Sequence, residues 1–161
     1  FQAEDGIRHF CLSRGLGDVY KRQPLLCLLA LPLEAVKYNK LDATTLYKRA
    51  IKHLDNESYR KADKVLKAYT KSKPNDSDGW NLYAFTKRKL GKYDLAEKYY
   101  KTSLELDPEN KSALEYQGEL FIKTGRVELA RKNLVILENL CSSQCFEYEE
   151  LKKSLIKAST S

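Results

Sequence analysis

An internal period of 34 residues constrains this sequence more than any other feature. The period is clearest at small residues, because Ala62, Ala96 and Ala130 stand 34 positions apart, as do Gly91 and Gly125. Other residues keep the same step: Tyr59 with Tyr93, Pro74 with Pro108, and the series Leu66, Tyr100 and Leu134. Periods of about 20 to 50 residues are typical of arrays in which each unit buries its apolar face against the next. The period therefore predicts a solenoid rather than a fold around one central core.

The residue types at these positions predict a pair of helices in each repeat. Gly91 and Gly125 allow a tight turn between the two helices. Ala50, Ala84 and Gly118 are small enough to let neighbouring first helices approach closely. This pattern resembles the tetratricopeptide repeat. The resemblance implies an all-α fold, an α-solenoid of three helix pairs over residues 43–76, 77–110 and 111–144 of a domain that spans 37–161.

An amphipathic segment at residues 145–158 follows the third repeat, and we expect a helix there that caps the solenoid. The stretches "LENLCSSQCFEYEE" and "SALEYQGELFIKTG" resemble small exported bacterial tetratricopeptide proteins. That resemblance implies a periplasmic or secreted protein, with a cytoplasmic location as the alternative. In an exported domain Cys141 and Cys145 form an even pair, and we expect a disulfide between them.

Residues 1–36 differ in character and are predicted to lie outside the folded domain. The stretch "SRGLGDVYKRQ" back-translates to a sequence that resembles a transposon-end sequencing adapter, and "QAEDGIR" to one that resembles the adapter outside it. Residues 1–23 are therefore interpreted as translated adapter. Residues 24–36 fit the apolar part of a truncated secretory signal peptide, with a buried first helix as the alternative. The apolar run is too short to span a bilayer, so no membrane span is expected in the mature form.

Composition argues against several classes of function. The net charge of +7 comes from lysines interleaved with acidic residues, which is typical of a solvated helical surface and does not favour a nucleic-acid partner. His53 is the single histidine outside the adapter segment, so no catalytic constellation is predicted. Two cysteines without histidines make a poor metal site. The sequence therefore predicts a protein that is not an enzyme and that needs no cofactor or metal.

The family resemblance also implies a concave groove, lined by the first helix of each repeat, that binds a protein or peptide partner. A chaperone-type carboxylate clamp is not expected, because Ile51 and Phe85 stand where the clamp needs an amide side chain. The predicted function is a scaffold or adaptor for protein interactions, and the alternative is a structural periplasmic repeat protein that assembles with itself. The predicted groove residues are Tyr47, Lys48, Ile51, Asn81, Phe85, Arg88, Lys89, Glu115, Glu119, Ile122 and Lys123.

Overall fold

The computed structural model describes residues 42–141 and 145–160 of the chain. These residues form helices and no strands. The helices are α1 (Ala43–Asp55), α2 (Tyr59–Ser72), α3 (Ser77–Lys89), α4 (Tyr93–Leu106), α5 (Lys111–Lys123), α6 (Val127–Leu140) and α7 (Phe146–Ser159). None of these seven is both long and apolar enough to cross a membrane. The segments interpreted as adapter and signal peptide, residues 1–23 and 24–36, lie outside the described residues.

The order of helix packing is that of a solenoid. Each helix packs against the next one in the chain, and α5 also packs against both α3 and α7. The first helices α3 and α5 therefore lie side by side, and α7 packs against α5 in the place that the first helix of a fourth pair would occupy. The predicted all-α solenoid of three tetratricopeptide-type helix pairs with a C-terminal capping helix is confirmed.

Side-chain caps fix where the first helices begin. The Asp76 carboxylate accepts a hydrogen bond from the backbone N–H of Asp78 at 3.2 Å, at the start of α3. The Asn110 side chain accepts one from the N–H of Ala113 at 2.9 Å, at the start of α5. Each cap satisfies a backbone donor that has no partner within the helix. The caps thereby set which residues of α3 and α5 face the groove.

The turns between paired helices use the left-handed backbone conformation. Gly91 has a φ of 72° and Gly125 a φ of 76°, as the sequence predicts. Glu57 occupies the equivalent position of the first repeat and adopts the same conformation with a φ of 51°. This conformation is unfavourable for a residue that carries a Cβ atom, so the first turn keeps the geometry of the other two at a cost in backbone strain.

Small residues bring the first helices together. Ala50 and Ala84 have no exposed surface. At Gly118 a Cβ atom would lie 2.6 Å from the Cδ1 atom of Leu151 in α7. Leu151 is itself fully buried and belongs to the apolar cluster of the third repeat. The capping helix therefore packs directly on the backbone of α5, which places α7 at the end of the concave surface.

Candidate peptide-binding groove

An apolar cleft of about 410 Å³ crosses the first helices of the three repeats. Ile51 of α1, Leu82 and Phe85 of α3, and Tyr116 of α5 line it, and each is half-buried. The ring centroids of Phe85 and Tyr116 are 5.0 Å apart. Such an apolar and aromatic surface suits a side chain supplied by a bound segment. The other lining residues are Leu54, Asp55, Glu57, Tyr59 and Lys89.

A second cleft, of about 800 Å³, lies between α3, α5 and α7. It carries more charged side chains than the first cleft, because four cationic side chains and one carboxylate are among the described residues that line it. Lys89 lines both clefts, so they adjoin, and we refer to the two together as the groove. The lining residues of the second cleft are Arg88, Lys89, Tyr93, Glu119, Ile122, Lys123, Ser154, Lys157 and Ala158.

Arg88 and Glu119 form an ion pair between α3 and α5 in the second cleft. The Nη1 atom of Arg88 lies 2.5 Å from Oε2 of Glu119, and the side chains are 14% and 29% exposed. The guanidinium group also stands 5.4 Å from the centroid of the Phe85 ring and 5.6 Å from that of Tyr116. Arg88 therefore contacts the Phe85 and Tyr116 rings and the Glu119 carboxylate at the same time, and it fixes their positions relative to one another.

Glu115 lies on α5 one helical turn before Glu119 and is only 4% exposed. Burial and the adjacent carboxylate of Glu119 raise the pKa of the Glu115 side chain to about 8. Glu147 and Glu150 of α7 act in the same direction, and Arg88 opposes them. At neutral pH the Glu115 carboxyl is therefore mostly protonated, so it adds little negative charge to the groove.

The structure brings most of the predicted groove residues together. Ile51 and Phe85 line the first cleft; Arg88, Glu119, Ile122 and Lys123 line the second; Lys89 lines both. A role for each of these residues in binding stays a prediction.

Four of the predicted residues lie elsewhere. Tyr47 lines a separate cleft of about 270 Å³ near the start of α1, with its ring 5.3 Å from that of Tyr69. Lys48 is exposed on α1, outside the two clefts that form the groove. Asn81 and Glu115 are buried, each with 4% exposure. Asn81 and Glu115 are covered by neighbouring helices, which the repeat pattern alone does not reveal.

Helix α7 contributes to the groove, which the repeat pattern alone does not predict. Ser154, Lys157 and Ala158 line the second cleft because α7 occupies the place of a further first helix. A signal for this was present, since Lys157 follows Lys123 by the same 34 residues that separate Lys123 from Lys89. The capping segment therefore keeps the repeat register at this position.

Cys141 and Cys145 connect the end of α6 with the start of α7. The structure places their sulfur atoms within bonding distance, with the Cα atoms 5.6 Å apart. That separation lies within the range of about 4.4–6.8 Å that a disulfide needs. The predicted pairing is therefore sterically possible, and the oxidation state of the two thiols stays a prediction. Among the described residues, no group of three or more His, Cys, Asp and Glu side chains is arranged to hold a metal ion.

Comparisons with known proteins agree with this fold. Residues 86–134 match the family model described as "Tetratricopeptide repeat". A search of curated proteins finds no match. The match and the helix packing together define the class of fold: residues 86–134 match the tetratricopeptide repeat family, and the described residues form an α-solenoid of tetratricopeptide type.

Three solved structures illustrate the likeness. The type III secretion chaperone SycD of Yersinia enterocolitica, in complex with a peptide of the translocator YopD, is 22% identical with a TM-score of 0.61, over 70% of this chain and 86% of SycD. The TPR2B domain of yeast Sti1, in a complex with pHsp70, is 18% identical with a TM-score of 0.68. The match covers 73% of this chain and 96% of the Sti1 chain. PcrH in complex with the chaperone binding region of PopD is 16% identical with a TM-score of 0.65. The match covers 74% of this chain and 95% of PcrH. At these identities the likeness concerns the fold.

Proposed function

We propose that this protein is a non-catalytic adaptor that binds a segment of a partner protein in the groove. The observation that carries the proposal is the pair of adjoining clefts, in which half-buried apolar side chains such as Phe85 and Ile122 lie beside cationic groups such as Lys89. Apolar anchors surrounded by polar groups are characteristic of surfaces that recognise protein segments. The structural relatives SycD, PcrH and the TPR2B domain of Sti1 were each solved with part of another protein, which supports the same kind of role.

The test is a selection of binders from a library of short random peptides, with the purified domain as the target. We expect peptides that bind the unmodified protein and lose binding to Phe85→Ala, because that variant removes the central apolar anchor. Val135→Ala is the matched control, since Val135 is 55% exposed on α6 and does not line the groove. Circular dichroism checks that both variants remain helical. Selected peptides that bind Phe85→Ala as well as the unmodified protein would contradict the proposal.

Self-assembly is the second candidate function, and one observation favours it. Val135 and Ile136 are adjacent on α6, and their side chains are 55% and 42% exposed. Neighbouring exposed apolar residues are frequent at interfaces between proteins. Sedimentation of the pure domain tests this candidate: assembly that rises with concentration and is lost in a Val135→Ser, Ile136→Ser variant would support it, and a monomer at all concentrations would exclude it.

We further propose a periplasmic or secreted location. The support comes from the cysteine pair, whose geometry is compatible with a disulfide, because structural disulfides persist in oxidising compartments and are rare in the cytosol. Alkylation of the protein immediately after cell lysis tests the proposal, as described in the Discussion.

A further inference from the structure

Three lysines form a row along the second cleft. Lys89, Lys123 and Lys157 succeed one another at steps of 34 residues and lie near the ends of α3, α5 and α7. All three line the same cleft of about 800 Å³. We call them the lysine row. The repeat geometry therefore places one cation at the same height on each of three neighbouring helices.

The positive charges of Lys89 and Lys123 are not neutralised by an ion pair among the described residues. Glu119 is the one carboxylate among the described residues that line the cleft, and it forms an ion pair with Arg88. Within the described part of the chain, neither Lys89 nor Lys123 takes part in a salt bridge. The Nζ atom of Lys89 instead stands 5.3 Å from the centroid of the Phe85 ring, at the boundary between the two clefts.

Lysine near a helix C-terminus also interacts favourably with the helix dipole, which gives a purely structural reason for such a residue. Two observations indicate a further role. Of the three second helices, α4 and α6 have the same dipole but no basic residue in their last turn, whereas α2 has Lys71 there. In the first repeat, the equivalent position is occupied by Asp55, which lines the apolar cleft together with Glu57. The groove is thus acidic at the α1 end, apolar at its centre and basic at the α7 end.

We infer that the groove recognises an acidic segment of a protein that carries a bulky apolar side chain next to its acidic residues. The apolar side chain occupies the first cleft, on the rings of Phe85 and Tyr116, and the carboxylates lie on the lysine row. Complementary charge favours this orientation because carboxylates at the α1 end would face Asp55 and Glu57. This inference rests on the proposed function and specifies the ligand of the same groove.

The probes are fluorescein-labelled peptides in which a Leu-Phe pair is joined to a run of glutamates, prepared with the run before and after the pair. Matched peptides carry lysines or serines in place of the glutamates. Fluorescence anisotropy measures their affinities. We expect at least one glutamate peptide to bind about tenfold more tightly than its lysine counterpart, with the difference shrinking as salt is added. Equal affinities for the two charge versions, or no binding by either glutamate peptide, would overturn the inference.

Charge reversal in the protein provides the second arm. Lys89→Glu with Lys123→Glu is expected to weaken binding of the glutamate peptide about tenfold and to strengthen binding of the lysine peptide. If the two lysines had only a structural role, the variant would not prefer the lysine peptide over the glutamate peptide. Lys67→Glu with Lys71→Glu, on exposed positions of α2, is the matched control and is expected to leave both affinities within about twofold.

Two results separate this inference from the proposed function. If the serine peptide binds as tightly as the glutamate peptide and Phe85→Ala abolishes both, the groove binds segments and the inferred charge preference is wrong. If library selection yields peptides that bind outside the groove, the proposed function is wrong, and the inference falls with it.

Discussion

The Nη1 atom of Arg88 lies 2.5 Å from Oε2 of Glu119, and this ion pair joins α3 to α5 in the second cleft. A partly buried pair of this kind depends on both partners, because removal of one leaves the other charge only partly solvated and without its partner. Arg88 was predicted from the sequence as a groove residue, and the structure gives it a structural task as well.

The first prediction concerns the stability that this pair provides. Arg88→Met should lower the free energy of unfolding by about 2–3 kcal/mol, because it leaves Glu119 unpaired next to the buried Glu115. Adding Glu119→Leu should recover much of that loss, since no charge is then left alone. Urea denaturation measures both. Lys101→Met is the control: Lys101 and Glu105 form an exposed pair at 3.7 Å, and the change should stay within about 1 kcal/mol. Equal losses for Arg88→Met and for the double variant would contradict the account.

The second prediction is a dependence of stability on pH that comes from Glu115. Its pKa is raised to about 8 in the folded protein, above the usual carboxyl value of 4.5. The folded state therefore binds the proton more tightly than the unfolded state, so this contribution to stability is complete below pH 4.5 and is lost as pH rises toward 8. Glu115→Gln cannot ionise and should remove this part of the decline. Urea denaturation at a series of pH values checks the prediction. If the free energy of unfolding falls in parallel with pH for the unmodified protein and for Glu115→Gln, the pKa of Glu115 is not raised in the folded state.

The third prediction concerns the first helix turn. Glu57 has a φ of 51°, where the other two repeats have glycine. Glu57→Gly should raise the free energy of unfolding by up to about 1 kcal/mol, because relief of the left-handed conformation outweighs the greater freedom of the unfolded chain. The reverse comparison is Gly91→Ala, which should lower the free energy of unfolding by about 1 kcal/mol or more, because alanine is strained at the positive φ of this position. Thermal or urea denaturation of both variants tests this, and destabilisation by Glu57→Gly would argue against strain at this turn.

Much of this fold is predictable from the sequence because local chemistry repeats. Gly91 and Gly125 specify left-handed turns, and Asp76 and Asn110 specify caps, each through a short-range effect. The groove was less predictable, because it depends on which helix covers which. Asn81 and Glu115 belong to inner-face positions of the repeat but are covered, which no short-range pattern encodes.

The positions of Tyr47 and Lys157 also differ from the sequence-based prediction, because they too depend on which helices pack together. Tyr47 was expected in the groove, but its ring packs near that of Tyr69 in α2, away from the apolar cleft. Lys157 was overlooked because the last helix was interpreted only as a cover for the third repeat. Its 34-residue step from Lys123 becomes informative once α7 is known to pack as a first helix.

The fourth prediction concerns the cysteine pair. Protein alkylated at the moment of lysis should show Cys141 and Cys145 unmodified and two hydrogens lighter than the reduced form by mass spectrometry. Because the closed loop is very short, Cys141→Ser with Cys145→Ser should lower the free energy of unfolding only at the low end of the range of about 0–5 kcal/mol. Reduced protein alkylated in the same way is the control. Two alkylated thiols in the untreated sample would contradict both the disulfide and the proposed exported location.

The most direct test of the central claim is to map the binding surface by NMR. The isotopically labelled domain is titrated with a peptide recovered from the library, and backbone amide shifts are followed residue by residue. We expect the largest shifts along the groove, around Phe85, Lys89, Tyr116 and Ile122. Shifts concentrated on α6 around Val135 and Ile136, with the groove unchanged, would contradict it and would point to the outer surface as the site of interaction.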